Sequence, residues 1–172
     1  MKDKFFLDTN ILVYSFDESQ PEKKKISRTL IKIGLEEGIG CISYQVIQEF
    51  LNVATRKFAV PLTYKDSRIF LSTVLEPICE VYASIDLYHS ALELAERWKY
   101  TFYDALIIAA ALHNNCAILY SEDLQDRQVI QDLEIINPFK SKQFLNTRHN
   151  FIFEDQAGRA PCRYFPQRRL LR

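Results

Sequence analysis

Short apolar runs alternate with stretches of helical spacing along the first 140 residues. Each run is bounded by turn-forming or charged residues, which predicts strands at residues 4–7, 39–42, 78–82, 116–120 and 133–136. The stretches between them carry apolar residues every three or four positions, which predicts helices at residues 22–37, 43–60, 63–76, 86–98 and 103–114. This alternation predicts an α/β fold, a three-layer sandwich with a central, mostly parallel sheet of four to five strands flanked by helices.

Side chains that can cap helices mark where several of these helices begin. Ser43 and Asp86 each begin one, and Thr63 is followed three residues later by Asp66, which is the spacing of a capping box. The polar stretch after the first strand shows no such pattern, and we expect a loop there. Residues 105–112 are apolar on every side, which predicts an enclosed, central helix.

The composition is that of an ordinary globular domain. The chain has 172 residues, of which 48% are apolar, enough for one domain with a buried core. Its apolar runs are too short to span a bilayer, and its N-terminus, MKDKFFLDTN, lacks a small-residue cleavage site, so we expect neither a membrane span nor a signal peptide. Four cysteines lack metal-binding spacing, and we expect free thiols in a reducing, cytoplasmic setting: Cys41, Cys79, Cys116 and Cys162.

The net charge of zero combines two regions of opposite sign. Residues 1–145 hold 16 basic and 20 acidic residues, whereas residues 146–172 hold 6 Arg against 2 acids. Overall neutrality gives no indication of a nucleic-acid partner. We divide the chain into a domain, residues 1–142, and a basic C-terminal tail, residues 143–172, which we expect to be poorly ordered.

Four acidic side chains are placed to meet at one edge of the predicted sheet. Asp8 directly follows the first strand and Asp123 follows the fourth, so both lie beyond the carboxyl ends of parallel strands, where ligands bind in such sheets. Asp104 opens the apolar helix that leads into the fourth strand, and it therefore lies at the same edge. Glu49 borders the buried face of the helix after the second strand.

Each of these acids also has a simpler interpretation, since it can close a turn, cap a helix or face solvent. Clustered carboxylates, however, repel one another unless a cation neutralises them. Oxygen ligands without a cluster of His or Cys favour a hard divalent ion such as Mg²⁺ over zinc or copper. The pattern therefore predicts a divalent-metal site formed by carboxylates.

Four segments of the sequence contain these acids: LDTN after the first strand, QEF on the helix after the second strand, WKYTFYDALI at residues 98–107 and ILYSEDLQ at residues 118–125. Together they resemble PIN-domain ribonucleases, most closely the VapC-type toxins of prokaryotic toxin–antitoxin pairs. The likeness extends over residues 3–139. It implies a PIN-like fold.

The positions that match the family's motifs define a candidate site. The resemblance implies that four acids are catalytic and bind metal: Asp8, Glu49, Asp104 and Asp123. It also implies supporting hydrogen-bonding roles for three polar neighbours: Thr9, Asn10 and Ser121. Asp126 lies three residues beyond Asp123, close enough to contribute to a second metal site.

The same resemblance implies an activity and partners. The activity is endonucleolytic cleavage of RNA phosphodiester bonds by metal-activated water, with Mg²⁺ or Mn²⁺ as cofactor, in the toxin of a type II toxin–antitoxin pair. The implied partners are an RNA substrate, with tRNA as the expected class, and a small VapB-like antitoxin. We also expect a homodimer.

Two alternatives lead to other functions. A receiver domain, another α/β sandwich with an acidic Mg²⁺ site, would need an acidic pair after the first strand and a Lys after the fifth. The chain has Asp8 alone after the first strand and Asn137-Pro138 after the fifth, which argues against a receiver domain. The second alternative is a non-catalytic PIN-like module that binds RNA or protein, although the four acids are intact.

Overall fold

The architecture is that of a computed structural model, which describes residues 3–140. The expected C-terminal tail, residues 143–172, and Cys162 lie outside the described residues. Within residues 3–140, no helix combines the length and the apolar character needed to cross a membrane.

Six strands of the described chain form one sheet: β1 (Phe5–Leu7), β2 (Gly40–Ser43), β3 (Cys79–Val81), β4 (Ile118–Tyr120), β5 (Val129–Ile130) and β6 (Leu133–Ile136). Their order across the sheet is β3-β2-β1-β4-β6-β5. Neighbouring strands are parallel, except that β5 runs antiparallel to β6. Phe5 of β1 pairs with Gly40 on one side and with Ile118 on the other, so β1 lies inside the sheet. The prediction of a mostly parallel sheet is confirmed.

The helices of the described residues connect and flank these strands: α1 (Thr9–Tyr14), α2 (Pro21–Glu37), α3 (Tyr44–Arg56), α4 (Tyr64–Phe70), α5 (Glu76–Ile78), α6 (Ile85–Trp98) and α7 (Phe102–His113). A π-helical segment, Leu71–Leu75, joins α4 to α5, so one continuous helical stretch leads into β3. α6 packs against α7. The α/β sandwich predicted from the sequence is confirmed.

Side-chain caps start the helices where the sequence predicts them, with one exception. Ser43 accepts a backbone hydrogen bond of 3.5 Å at the start of α3. Thr63 and Asp66 form the predicted capping box at α4, with bonds of 2.7 and 3.1 Å. The prediction of Asp86 as a cap is wrong, because Ser84 caps α6 and Asp86 lies in the first turn. A negative charge is favourable there as well, since it faces the positive end of the helix dipole.

Two short elements differ from the sequence prediction. α1 replaces the expected loop after β1, because Asp8 caps it and Ile11 and Leu12 are buried. With 6 residues, α1 is too short to show a helical period in the sequence. β5 adds a sixth strand to the four to five that were expected, and its 2 residues give no alternating pattern.

The sheet and α7 form the centre of the core. Every residue of β1, β2 and β4 is buried. The residues Ala105–Ala111 of α7 are also all buried, as the uniformly apolar sequence predicts. Three cysteines are buried free thiols, and the Sγ atoms of two of them, Cys41 and Cys116, lie 3.4 Å apart.

Two glycines allow α2 to lie directly against β2. A Cβ atom on Gly40 would come within 2.6 Å of the Gly34 Cα, and one on Gly34 within 3.0 Å of the Gly40 Cα. Between them, Gly38 ends α2 with a φ of 65°, a left-handed conformation that glycine adopts without steric cost. The return from α2 into the sheet therefore depends on these three glycines.

We expect Gly40→Ala to lower the free energy of unfolding by about 2 kcal/mol, because its methyl group would overlap the backbone of α2. Gly38→Asn is the matched control, since Asn tolerates the left-handed conformation and the space around Gly38 is open. Urea unfolding followed by circular dichroism measures both variants. A Gly40→Ala protein as stable as the control would contradict the close approach of α2 and β2.

Candidate active site

The four acids predicted from the sequence line one open cleft at the carboxyl edge of the sheet. The cleft has a volume of about 390 Å³ and contains Asp8, Glu49, Asp104 and Asp123. Asp8 follows β1 and Asp123 follows β4, while Glu49 lies on α3 and Asp104 in the first turn of α7. The parallel sheet brings these chain segments to the same edge, which explains why acids distant in sequence meet.

Asp8 is enclosed by the elements around the cleft and caps α1. Its Oδ1 accepts a hydrogen bond from the backbone N–H of Thr9 (2.6 Å). Its Oδ2 accepts from the hydroxyl of Ser121 (2.6 Å) and from the side-chain amide of Asn10 (3.1 Å). These three donors fix the carboxylate, which belongs to a residue only 9% exposed.

Burial makes the charged form of Asp8 unfavourable. Loss of hydration raises the pKa of this carboxyl from 3.8 to about 6, and the charges of Asp123 and Glu49 add to the increase. Hydrogen bonds from Ser121 and Thr9 favour the charged form and oppose the increase in pKa without cancelling it. A cation in the cleft would lower the cost of the charge, because an opposite charge stabilises a carboxylate.

Asn10 and Ser121 connect Asp8 to Asp123. The Asn10 amide donates to one oxygen of each carboxylate, at 3.1 Å in both cases. The Ser121 hydroxyl accepts from the backbone N–H groups of Asp123 and Leu124 at 3.2 and 3.4 Å. Two of the three side chains that the resemblance marks as supporting residues, Asn10 and Ser121, therefore hold the two strand-end acids in a shared network.

Glu49 is held between two donors. The hydroxyl of Thr9 donates to Glu49 Oε2 (2.6 Å), and the amide of Gln45 donates to Glu49 Oε1 (2.7 Å). Gln45 is not among the site residues predicted from the sequence. The signal for it is its position four residues before Glu49 on α3, since side chains at this spacing share one helix face.

Asp104 belongs to a capping box at the start of α7. The Thr101 hydroxyl donates to Asp104 Oδ2 (2.7 Å) and accepts from the Asp104 backbone N–H (3.3 Å). A carboxylate in the first turn of a helix also interacts favourably with the helix dipole. Thr101 is therefore the cap of α7, and Asp104 contacts that cap while it lines the cleft.

Asp126, predicted as a ligand for a second ion, is not among the residues that line this cleft. Its Oδ1 accepts from the backbone N–H of Asn137 (2.7 Å), and its Oδ2 lies 3.9 Å from the ammonium group of Lys140. These contacts tie Asp126 to the segment that follows β6. We therefore leave it out of the candidate ligand set.

The rim of the cleft contains two tyrosines that the sequence did not indicate. Tyr14 and Tyr103 both line the cleft. Lys23 donates to the carboxylate of Glu122, a neighbour of Asp123 in the chain, and to the Tyr14 hydroxyl at 3.2 Å. The Lys23 ammonium also lies 4.2 Å from the centroid of the Tyr14 ring. Lys23 thus neutralises a further acid beside the cleft.

The donor atoms of the cleft fit a hard divalent cation. They include carboxylate and amide oxygens, and no His or Cys lines the cleft within the described chain. The carbonyl oxygen of Asn10, Oδ1, is buried and has no hydrogen-bond partner among residues 3–140. In the same part of the chain, no three acidic, His or Cys side chains lie close enough together to hold a metal ion as they stand. An ion bound here would thus need water among its ligands, which is usual for Mg²⁺.

The raised pKa of Asp8 predicts that the difference in the free energy of unfolding between the wild type and Asp8→Asn depends on pH in metal-free buffer. The folded protein binds this proton more tightly than the unfolded chain, so stability falls as the pH rises from 3.8 to about 6 and stays lower above that range. The cost above pH 6 is about 3 kcal/mol, and the neutral Asn side chain removes it.

Urea unfolding in EDTA at about pH 4 and about pH 8 measures this effect. We expect the free energy of unfolding of Asp8→Asn to increase relative to that of the wild type between the lower and the higher pH. Asp126→Asn is the control, because its carboxylate lies outside the cleft. If the free energies of unfolding of the wild type and Asp8→Asn differ by the same amount at both pH values, the raised pKa of Asp8 is contradicted.

Comparisons with known proteins identify the family and the fold of this domain. Residues 5–129 match the model of the PIN domain family. No curated protein matches the sequence significantly. Solved structures share the fold at low sequence identity.

Three of these structures cover most of the domain. A toxin–antitoxin complex from Klebsiella pneumoniae is 20% identical with a TM-score of 0.56, and the match covers 76% of this chain and 95% of that chain. VapC20 from Mycobacterium tuberculosis, a toxin that cleaves the sarcin–ricin loop, is 21% identical with a TM-score of 0.52, covering 70% and 90%. VapBC2 from Rickettsia felis, bound to a DNA fragment from its promoter, is 20% identical with a TM-score of 0.52, covering 76% and 96%. The family model covers well over half of the sequence, and the chain therefore belongs to the PIN domain family.

Proposed function

We propose that this PIN domain is a divalent-metal-dependent endoribonuclease that hydrolyses RNA phosphodiester bonds. The observation that carries the proposal is the cleft in which Asp8, Glu49, Asp104 and Asp123 meet. A carboxyl with a raised pKa and an unpaired, buried amide oxygen on Asn10 accompany these acids. Perturbed titratable groups in a cleft are typical of functional sites.

The four acids of the cleft would hold Mg²⁺ or Mn²⁺, directly or through water: Asp8, Glu49, Asp104 and Asp123. When bound, such an ion supplies an activated water nucleophile and stabilises negative charge on the phosphate. The acids alone would repel a phosphodiester, so the proposal requires that a cation neutralise them before RNA binds.

The hydrogen bonds around the acids keep them in place before substrate arrives. Ser121 and Asn10 orient Asp8, and Thr9 and Gln45 orient Glu49. Each carboxylate thus occupies a fixed position without reorganisation during the reaction. Such preorganisation is a major source of catalytic rate enhancement.

We further propose that the chain is the toxin of a toxin–antitoxin pair and acts in the cytoplasm. Support comes from the similar structures, since the Klebsiella pneumoniae structure is a toxin–antitoxin complex and VapC20 is an RNA-cleaving toxin. The buried free thiols Cys41, Cys79 and Cys116 fit a reducing compartment. The partner would be a small VapB-like antitoxin, and the substrate a structured RNA such as tRNA.

We expect the purified protein to cleave RNA with Mg²⁺ and to lose this activity in EDTA. Asp8→Asn and Asp104→Asn, which keep the shape of the side chain but remove its charge, should each reduce the cleavage rate by about 100-fold or more. The assay uses single-stranded and structured RNA, and sequencing of the product ends identifies the cleaved bonds.

Asp126→Asn is the control for these substitutions, because the same chemical change lies outside the cleft, and it should retain activity. Equal cleavage by the wild type with Mg²⁺, the wild type with EDTA and Asp8→Asn would refute the metallonuclease proposal. RNA binding without cleavage under any of these conditions would favour the non-catalytic module.

We also propose that the chain forms a homodimer through α6. This helix exposes Ile85, Tyr88 and Leu92, with exposed fractions of 69%, 38% and 55%. Their spacing of three and four residues places them on one face of the helix. An apolar stripe of this kind is typical of an association surface, and two copies can meet through it because these three side chains carry no charge.

Leu92→Glu should convert this dimer to a monomer, because association would bury two like charges at the centre of the stripe. Size-exclusion chromatography with light scattering measures the mass. Tyr64→Glu is the control, since it places the same charge on an exposed residue of α4 and should leave the dimer intact. A wild-type protein that stays monomeric at high micromolar concentration would contradict the proposal.

A further inference from the structure

Gln45 lines the cleft and carries an unpaired hydrogen-bond acceptor. It lies in the first turn of α3 and lines the cleft together with Glu49 and Asp104. Its Nε2 donates to Glu49 Oε1, at 2.7 Å. Its Oε1 is buried and has no hydrogen-bond partner among the described residues. A buried acceptor without a partner is destabilising and is a position where a ligand's donor would be favourable.

The orientation of the Gln45 amide follows from Glu49. An ionised carboxylate only accepts hydrogen bonds, so the amide N–H of Gln45 must face it. Rotating the amide by half a turn would place two oxygens against each other, which is unfavourable. The carbonyl oxygen is therefore directed away from Glu49, as a result of the same contact that orients this acid.

Gln45 also borders a second cleft whose walls are aromatic. This cleft has a volume of about 290 Å³, and Gln45 and Tyr103 line both it and the acidic cleft. Tyr44 and Tyr82 form one aromatic pair, with ring centroids 6.5 Å apart. A nucleic-acid strand that extends from the acids into this second cleft would have the sugar and base adjoining its phosphate beside Gln45 and these rings, on which bases can stack.

The two unpaired acceptors of the site lie in different surroundings. The Asn10 side chain lies between Asp8 and Asp123, where an ion and its waters would be held. The Gln45 side chain instead lies where the acidic and aromatic clefts join. In a strand whose phosphate is at the acids, the ribose is the group next to that phosphate, and its 2′-hydroxyl is a donor that deoxyribose lacks.

We propose that Gln45 Oε1 accepts a hydrogen bond from the 2′-hydroxyl of a ribose adjoining the scissile phosphate, and that Gln45 thereby selects RNA over DNA. This inference rests on the ribonuclease function proposed above. It names a specificity-determining residue whose role is to bind the sugar, while the acids act on the phosphate.

A thermodynamic cycle tests the contact. The substrate is a short RNA that the wild type cleaves at one bond, together with copies that each carry a single 2′-deoxynucleotide near that bond. We expect one deoxy position to reduce the wild-type kcat/KM by about tenfold. In Gln45→Met, which has a similar size but no carbonyl oxygen, the penalty at that position should disappear. Because the penalty is measured within each variant, any effect of the lost Glu49 contact cancels.

Binding gives a second readout that needs no cleavage. In fluorescence anisotropy, Asp8→Asn should bind the deoxy-substituted RNA more weakly than the all-ribose RNA. Asp8→Asn/Gln45→Met should bind the two RNAs equally well. Gln48→Met is the control, since Gln48 lies one turn along α3 and lines only the aromatic cleft, and it should keep the wild-type penalty. If Gln45→Met does not fold, as judged by circular dichroism, Gln45→Ala replaces it.

The outcomes separate this inference from the proposed function. If the wild type cleaves RNA and the deoxy penalties are the same in wild type and Gln45→Met, the contact does not exist. The inference is equally wrong if Gln45→Met changes only the Mg²⁺ concentration needed for activity, because Gln45 would then act on the ion site. If the wild type cleaves no RNA, the ribonuclease proposal itself has failed.

Discussion

The burial of one carboxylate at the end of an interior strand determines how the site is built. Asp8 follows β1, which pairs with β2 on one side and β4 on the other, so its side chain emerges among enclosed residues. It needs donors, and α1, Asn10 and Ser121 supply them. Burial raises the free-energy cost of ionising Asp8, and it also holds the carboxylate in a fixed position. A cation bound in the cleft would offset that cost and be contacted by a carboxylate already in place.

The remaining acids are positioned by local contacts of different kinds. Asp104 is fixed by a capping box within its own helix, and Glu49 by one donor on α1 and one on α3. Asp123 depends on the turn that Ser121 and the two backbone N–H groups form after β4. The cleft therefore combines several kinds of contact, and some of its donors are shared. Because Asn10 and Ser121 each contact both Asp8 and the Asp123 turn, the loss of either side chain would disturb both acids.

The sequence predicts the elements that are long enough to show a hydrophobic pattern and the features that follow from the topology of a parallel sheet. Four acids could be placed at one edge because parallel strands share their carboxyl ends, and α7 could be recognised as central because it is apolar on all sides. α1 and β5 are too short for their periods to be seen, and their existence depends on contacts with distant residues. Asp126 was predicted as a ligand because it lies near Asp123 in the sequence. Its side chain is instead held by Asn137 and Lys140, which are contacts that the sequence does not reveal. Gln45 was missed because its spacing of four residues from Glu49 shows only that the two side chains share a helix face, and not that they are hydrogen-bonded.

The long distance in sequence between Asp8 and Ser121 has a consequence for synthesis of the chain. The two residues are 113 positions apart, so Asp8 has only its local donors, Thr9 and Asn10, until Ser121 has been translated. β1 likewise pairs with β4 only after Tyr120 has been translated. Contacts of such separation form late, because loop closure must precede them. A nascent or truncated chain that lacks β4 therefore has no complete cleft, and any chemistry that the cleft performs can begin only when almost the whole domain has emerged.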